Sequence, residues 1–587
     1  MCGVLCLYNS QKRIDEKVLS EMIDALQHRG PDAKGQKIYC DHRLGLGNTR
    51  LSLIDLKSRS NMPLELDGFS ITYNGEIYNH KEIRGQLEVE GAVFKTTSDT
   101  EVIIRSIQKW GIKALNKFNG CFAFVLYDNK NKKLFIVRDP LGKKQIVYTL
   151  AKNGDWVFAS EIKALLKHPY VTAGPNINRF ISDLIFKFFS DKKETHFKGI
   201  YHILPGHYFE FDLEKKKNPK IVKYWDIDLI ETKRNDPSGI LDEYVDLLHD
   251  SVRLRMDADT EIGSLLSGGI DSSSITKLAS EFHNEKYKTP FQCFTIEYVK
   301  ENRDFRNVKL LCREMKNTKL NKVAINSEWG INDVDKLTYS LEEPLLDKVF
   351  FAQHENYRIA RKHNLKAVIN GQGADELWLG YYFFYNIFRL NPREINRTGL
   401  MHYWMKGFDF KHVVSNKTKK LAKEIIESNL DKNFVSYQNS DKLDSLVRYS
   451  IKTHLQSMFM QEDRLSMANG VEVRLPHVDT RIFKLALATP SKFKIWDKKE
   501  KYIPRTAAKL NNLLPKSIYN RRKLAFPDPP SDYDREIEKA FNKKELIQSP
   551  LISELFRIDS NFFYKLPLRK RWELIAIYRM EKVFFEN

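Results

Sequence analysis

The chain has 587 residues, too many for one ordinary hydrophobic core, so two large domains are the expectation. Hydrophobic residues make up 42% and charged residues 29%, which fits a soluble globular protein, and no run approaches the roughly 18 apolar residues of a membrane helix. The formal charge of +20 lies in short clusters such as Lys215–Lys217 and Lys417–Lys420 with no nucleic-acid motif beside them, so it reads as solvated lysine-rich surface and not as a nucleic-acid interface.

In chain order, Val4–Leu7, Leu44–Asn48, Ser70–Tyr73, Cys121–Tyr127 and Lys133–Arg138 read as strands from their apolar or alternating pattern. Helical periodicity interrupts at Asp15–Leu26 and Thr100–Trp110. This mixture predicts a layered α+β domain over residues 2–212. A charged stretch ending at Pro219 and a polar one at Glu231–Ser238 place a linker over 213–238. From Gly239 the pattern becomes strand then helix: strands at Ile262–Leu266, Phe291–Glu297 and Ala367–Ile369, and a helix at Ser272–Phe282. That alternation predicts an α/β domain with a mainly parallel sheet and a largely helical C-terminal part over 239–587.

The opening MCGVLCLYNSQKR lacks the pattern of a secretory signal. The cysteines (2, 6, 40, 121, 293 and 312) form no CxxC pair or zinc-spaced cluster, which argues against a metal–thiolate site and fits a reducing cytoplasm.

Chemistry begins at Met1-Cys2-Gly3. Removal of the methionine would leave Cys2 with a free α-amine beside its own thiol. An α-amine with a reference pKa of about 7.7–8.0 can take a thiol proton near neutral pH. Alone, Cys2 reads as a small residue in an opening strand. The later motifs change that: His28-Arg29-Gly30-Pro31-Asp32, Thr49-Arg50 through Asp55, Asn74-Gly75-Glu76 through Asn79, and Thr97-Ser98-Asp99-Thr100-Glu101. An Asn side chain beside a glycine N–H suits an oxyanion hole. Asp99 stands where a helix N-cap would.

Together these motifs resemble the class II glutamine amidotransferases, which are N-terminal-nucleophile hydrolases. The resemblance implies an αββα sandwich and attack by Cys2 on the glutamine side-chain amide. Asn74 and Gly75 would stabilise the oxyanion. Arg50 would hold the substrate α-carboxylate, Glu76 and Asp99 its α-amino group, and Leu51, Ser52, Leu53 and Ile54 would line the pocket. Arg138-Asp139 and Ala159–Lys163 also fit and read as structural. After Gly142 the family continues Ile-Lys-Pro-Leu-Tyr, where this chain has Lys143-Lys144-Gln145-Ile146-Val147-Tyr148, a departure expected to bear on the domain interface.

The second centre is Ser267-Gly268-Gly269-Ile270-Asp271-Ser272-Ser273. A strand, a Gly-Gly turn and a helix N-terminus form a cradle for anions, to which the serine hydroxyls can add donors. An aspartate among phosphates makes sense with a cation, most readily Mg²⁺. The string resembles the PP-loop of ATP pyrophosphatases and lacks the GK[ST] ending of a Walker A loop.

The resemblance implies ATP binding through Leu266, Ser267, Gly268, Gly269, Asp271, Ser272, Ile296, Asn370 and Gly371. It implies magnesium at Asp271 and Asp375, and charge neutralisation by Lys501. With Glu462-Asp463-Arg464, Val471–Pro476, Lys501–Arg505 and Arg521–Pro527, the pattern resembles the glutamine-hydrolysing asparagine synthetases over nearly the whole chain. That family implies glutamine, aspartate and ATP as substrates, β-aspartyl-AMP as intermediate, ammonia passed between two sites, and allows a homodimer. Where the family has Gly-Glu-Gly at the acyl-adenylate step, this chain has Gly371-Gln372-Gly373. An amide cannot take a proton as a carboxylate can. Gln372, Glu342-Glu343-Pro344 and the aromatic run Tyr381–Tyr385 therefore leave open an amidotransferase of the same mechanism acting on another carboxylate or a sugar in place of aspartate.

Overall fold

The computed structural model describes residues 2–187, 193–215, 218–231, 234–297, 303–324, 331–381, 400–401, 404–405, 414, 416–434, 442–496, 499–521 and 542–586. Among the described residues no helix is long and apolar enough to cross a membrane.

The N-terminal part is built on two antiparallel six-stranded sheets. One contains β1 (Cys2–Tyr8), β2 (Ala33–Tyr39), β3 (Leu44–Arg50), β8 (Val147–Leu150), β9 (Trp156–Ala159) and β10 (Tyr201–His202). The other contains β4 (Leu64–Leu66), β5 (Phe69–Ile77), β6 (Gly120–Asp128), β7 (Lys133–Arg138), β11 (His207–Asp212) and β12 (Lys220–Lys223).

Strand alternation divides the core into layers. Val4, Cys6, Leu44 and Leu46 of the first sheet meet Ala123, Val125, Leu134 and Ile136 of the second. The opposite face of β1, Leu5 and Leu7, packs under α1 (Glu16–Asp24) through Leu19, Met22 and Ile23, an i, i+3, i+4 stripe. The outer face of the second sheet, Ile71, Tyr73, Phe122 and Phe124, packs under α2 (His80–Val89) and α3 (Asp99–Trp110). The result is the expected αββα sandwich.

The N-cap of α3 is Ser98, whose side chain accepts the N–H of Thr100 at 3.1 Å. Asp99, read from sequence as the cap, is the first helical residue and turns inward. The segment expected to be linker, 213–238, is partly sheet: β12 pairs with β11 from His207↔Lys223 to Glu210↔Lys220.

The second part holds a five-stranded sheet in the order β15-β14-β13-β16-β17, and every pairing is parallel. Its strands are β13 (Ile262–Leu265), β14 (Phe291–Glu297), β15 (Thr318–Ala324), β16 (Ala367–Ile369) and β17 (Glu472–Arg474). The chain winds outward from β13 through β14 to β15, then returns to the other flank of β13 with β16. A crevice therefore opens between β13 and β16 at the C-terminal ends of the strands, where open α/β sheets bind ligands. β15 and β17 escape sequence reading because TKLNKVA and EVR carry charges that disguise them. Helices dominate beyond β17, among them Thr480–Ala488, Tyr502–Leu510 and Leu568–Phe584.

Candidate active sites

Cys2 starts β1 and is buried at 5% exposure. Its register partner on β3 is Arg50. The Cys2 N–H donates to Asn74 Oδ1 at 3.0 Å. The other end of that amide, Asn74 Nδ2, is buried with no hydrogen-bond partner. A buried donor left unpaired costs about 1–3 kcal/mol, so one held beside a thiol can receive an oxygen that enters the site. Gly75 follows with φ +148°, and a Cβ there would lie 2.1 Å from the Cys121 carbonyl oxygen, so only glycine fits. Burial pushes the Cys2 thiol up, while the backbone N–H of Leu51 and the charge of Arg50 oppose it.

Arg50 serves the loop that follows it. Nη1 donates to the Lys57 carbonyl at 3.1 Å and Asn61 Oδ1 at 2.8 Å; Nη2 donates to the carbonyls of Ile54 at 3.2 Å and Asp55 at 2.5 Å. Four of its five N–H groups thus hold the turn that carries Leu51, Ser52, Leu53 and Ile54 beside Cys2. That turn also rests on the second domain: Asp259 N–H donates to the Leu53 carbonyl at 2.9 Å, and Asp55 N–H to Asp259 Oδ2 at 2.8 Å.

Asp99 accepts the Tyr73 hydroxyl at 2.8 Å and the Ile77 N–H at 3.0 Å. Glu76 is buried and lies 3.2 Å from Arg474 Nη2 of the second domain. Burial pushes Glu76 well above the ordinary carboxylate range; Arg474 opposes this, and Asp99 and Glu472 add to it.

The two parts meet through buried charge. Arg29 donates from Nε to the Cys2 carbonyl at 3.1 Å, from Nη1 to Glu161 at 2.6 Å and from Nη2 to Asp463 at 2.8 Å. The Asp139 carboxylate collects the backbone N–H groups of Leu141, Lys143 and Lys144. This turn sends Lys143 Nζ to Glu462 at 2.6 Å and Lys144 Nζ to within 3.7 Å of Asp463. The departure at Lys143-Lys144 is therefore a domain-interface feature.

Glu342, read as bearing on the acceptor pocket, instead caps the helix Ile162–Leu165 of the N-terminal part. Its carboxylate accepts the N–H groups of Ile162 and Lys163 at 2.8 and 2.6 Å and pairs with Arg464 at 2.8 Å. Glu343 pairs with Arg179 at 3.2 Å. Of the aromatic run only Tyr381 is described, donating to Glu376 at 2.9 Å; residues 382–385 lie outside the described residues, as do 522–527 of the C-terminal motif and 216–217 of the lysine cluster.

In the second centre, Leu266 follows β13, Ile296 is the penultimate residue of β14, and Asn370 and Gly371 follow β16, so all four lie at the C-terminal ends of the strands. Gly268 takes φ +73° and turns the chain into the helix Ile270–Lys286. Ser267 Oγ and Ser272 Oγ lie 2.9 Å apart, and Ser272 Oγ also reaches the Gly269 carbonyl at 3.3 Å, closing the loop. Ser273, expected to add a hydroxyl, is fully buried inside the helix. A Cβ at Gly371 would lie 2.6 Å from Asp271 and Ser272 main-chain atoms, so the two glycine-rich segments touch.

Lys501, buried at 1% exposure, bridges the carboxylates of Asp271 and Asp375, the latter at 2.5 Å. Gly380 makes room for it: a Cβ there would lie 2.1 Å from Lys501 Cε and 2.0 Å from Asp375 Oδ1. Asp271 Oδ1 is buried without a hydrogen-bond partner. Two carboxylates converging beside a phosphate-type loop, one with an unpartnered buried oxygen, fit a hard divalent cation such as Mg²⁺.

Comparison with known proteins agrees with this arrangement. The family described as asparagine synthase matches residues 243–572, and the one described as glutamine amidotransferase domain matches residues 1–225. The chain belongs to the asparagine synthase family.

It is similar to the glutamine-hydrolysing asparagine synthetases 1 and 3 of Bacillus subtilis (strain 168), each 28% identical over 90% of this chain and 87% of the relative. It is also similar to amidase chry2 of Gibberella zeae, 29% identical over 64% of this chain and 57% of that one. Within this family member, Arg29, Glu342, Glu462, Asp463 and Arg474 all lie in motifs legible in the sequence. Their role as buried interdomain partners was not. A sequence signal existed only at Lys143-Lys144, where new cations imply new anions somewhere.

Proposed function

We propose that this protein is a glutamine-dependent asparagine synthetase, a carbon–nitrogen ligase that takes its nitrogen from glutamine. The reading is carried by one coincidence: Cys2 stands beside an unpartnered Asn74 Nδ2, and in the same chain Asp271, Asp375 and Lys501 meet at the mouth of a parallel-sheet crevice.

With Met1 removed, the Cys2 α-amine takes the thiol proton and the sulfur attacks the side-chain amide carbon of glutamine. Asn74 Nδ2 and the Gly75 N–H receive the oxyanion. Arg50, through the loop it fixes, and Glu76 with Asp99 place the amino-acid end of the substrate. Ammonia leaves, and water releases glutamate from the thioester.

In the crevice, Leu266, Ile296, Asn370 and Gly371 contact the adenosine of ATP, and the turn Ser267, Gly268, Gly269 and Ser272 contacts its phosphates through helix N-terminal N–H groups. The side-chain carboxylate of aspartate attacks the α-phosphorus and pyrophosphate leaves, giving β-aspartyl-AMP. Lys501 donates to the anionic oxygens that form. Asp271 and Asp375 would hold Mg²⁺, which when bound supplies charge neutralisation at the phosphates. Ammonia crosses between the domains, attacks the acyl carbon and displaces AMP. Confinement keeps it concentrated near the acceptor.

The test is incubation with Mg-ATP, glutamine and aspartate, followed by mass spectrometry. Asparagine with an equal amount of AMP is the expected result. Glutamate without asparagine or AMP would remove aspartate as acceptor. Gln372 favours a second reading, the same chemistry on another carboxylic acid, which a panel of acids in the same assay separates.

A further inference from the structure

Glu462 sits on the helix Gln456–Met467 and is only 3% exposed. Among the described residues, the donors around its carboxylate come from two directions. From the amidotransferase side, Lys143 Nζ donates to Oε2 at 2.6 Å. From the synthetase crevice, Asn370 Nδ2 donates to Oε1 at 2.7 Å. The Gln372 amide, oriented to suit its neighbours, donates Nε2 to both oxygens at 2.7 and 2.8 Å.

Gln372 is held a second time through its main chain, whose N–H donates to Asn370 Oδ1 at 2.9 Å. It lies between Gly371, packed on Asp271 and Ser272, and Gly373, the N-cap of the short helix that carries Asp375. With Nε2 committed to Glu462, planarity of the amide turns Oε1 away from Glu462.

We propose that Glu462 is a positioning residue of the acceptor site. It fixes the Gln372 amide so that Oε1 faces the acyl-adenylate centre, and Lys143 of the other domain neutralises it. The inference deepens the ligase reading and rests on it. A carboxylate that would stand at position 372 is set behind the Gln372 side chain, and the centre is offered an uncharged hydrogen-bond acceptor in its place. The arrangement satisfies the buried charge with an ammonium and two amides, which a buried carboxylate requires. It also makes the geometry at Gln372 depend on docking of the Lys143 turn, so the acceptor site is complete only when the two domains are joined. Buried ion pairs contribute little net stability, and fixing one geometry is a better reason to keep one.

The test compares the full-length wild type with Glu462→Gln, Gln372→Glu and the exchanged pair Gln372→Glu/Glu462→Gln. AMP formation is measured at saturating Mg-ATP against aspartate and a panel of other carboxylic acids, and thermal unfolding is followed from pH 5 to 8. Glu462→Gln is expected to lower kcat by about 10-fold or more, as losing the partner of a site residue does, with a smaller change in acceptor KM. The exchanged pair is expected to recover much of that loss. Gln372→Glu alone puts two carboxylates in contact, so its Tm falls with rising pH more steeply than that of the wild type or the exchanged pair.

Unchanged kcat and KM in Glu462→Gln, or a Gln372→Glu slope equal to that of the wild type, overturns the inference. If aspartate is inert and another acid yields AMP, the asparagine reading falls and the same variants are scored on that acid. If no acid yields AMP, the ligase reading falls, and the pH slope alone decides whether the Glu462–Gln372 contact exists.

Discussion

Arg29 and Asp463 form an ion pair of 2.8 Å in which neither side chain is exposed at all. The pair joins the two domains, and the same guanidinium holds the carbonyl of Cys2 at 3.1 Å. Asp463→Ala leaves a buried cation short of one partner. It is expected to lower unfolding free energy by roughly 3 kcal/mol and to reduce glutamine hydrolysis, since Cys2 loses a fixed support. Denaturant unfolding and a glutaminase assay check both. Stability within ~0.5 kcal/mol of wild type would show that the pair is dispensable.

Cys2→Ala removes the proposed nucleophile and leaves the crevice untouched. Glutamine-dependent AMP formation is expected to vanish, while synthesis with ammonium salts persists. Continued use of glutamine would move the nucleophile elsewhere.

Asn74→Ala removes the unpartnered donor beside Cys2. A fall in glutaminase kcat of about 100- to 1000-fold is expected, with KM little changed, because such a donor acts on the transition state. A rise in KM alone would make Asn74 a binding residue.

Glu76 holds its proton more tightly than a free carboxyl, chiefly because it is buried. A substrate ammonium docking against it favours the ionised form, so glutamine binding expels a proton. Glutamine affinity should therefore rise with pH between the ordinary carboxylate range and the raised value of Glu76. For folding the sign is opposite: the stability linked to this proton is full below the unfolded carboxyl pKa and is lost as pH rises toward that raised value. Calorimetry of glutamine binding to Cys2→Ala, in two buffers of different ionisation enthalpy, measures the proton count. A count of zero would place the ammonium elsewhere.

Gly380→Ala and Lys501→Met strike the same point. An added Cβ at Gly380 would occupy the space of Lys501 Cε and Asp375 Oδ1, and Lys501→Met removes the cation that joins Asp271 and Asp375. Both are expected to lower AMP formation by at least 100-fold, a loss of about 2.7 kcal/mol in the barrier. AMP formation within a few-fold of wild type in either would take Lys501 out of the adenylation step.

The amino-acid sequence by itself determined what is local. Cys2, Arg50, Asn74 and the Ser267–Ser272 turn are legible because each piece of chemistry lies within a few consecutive residues, and a strand such as Lys133–Arg138 shows its own alternation. Asp271 and Asp375 were read together because each opens a helix after a strand and a glycine-rich turn. Tertiary structure alone decided the rest. Arg29 and Asp463 are 434 positions apart and Lys143 and Glu462 are 319 apart, and nothing in the sequence pairs them. Only docking of the domains removes water from them, and a charge that loses water must find a partner or neutralise. For the same reason Glu342 became a helix cap. Gln372, which in isolation looks like a missing carboxylate, sits against one supplied by a helix 90 residues away, because packing and not sequence proximity sets which groups share a buried volume.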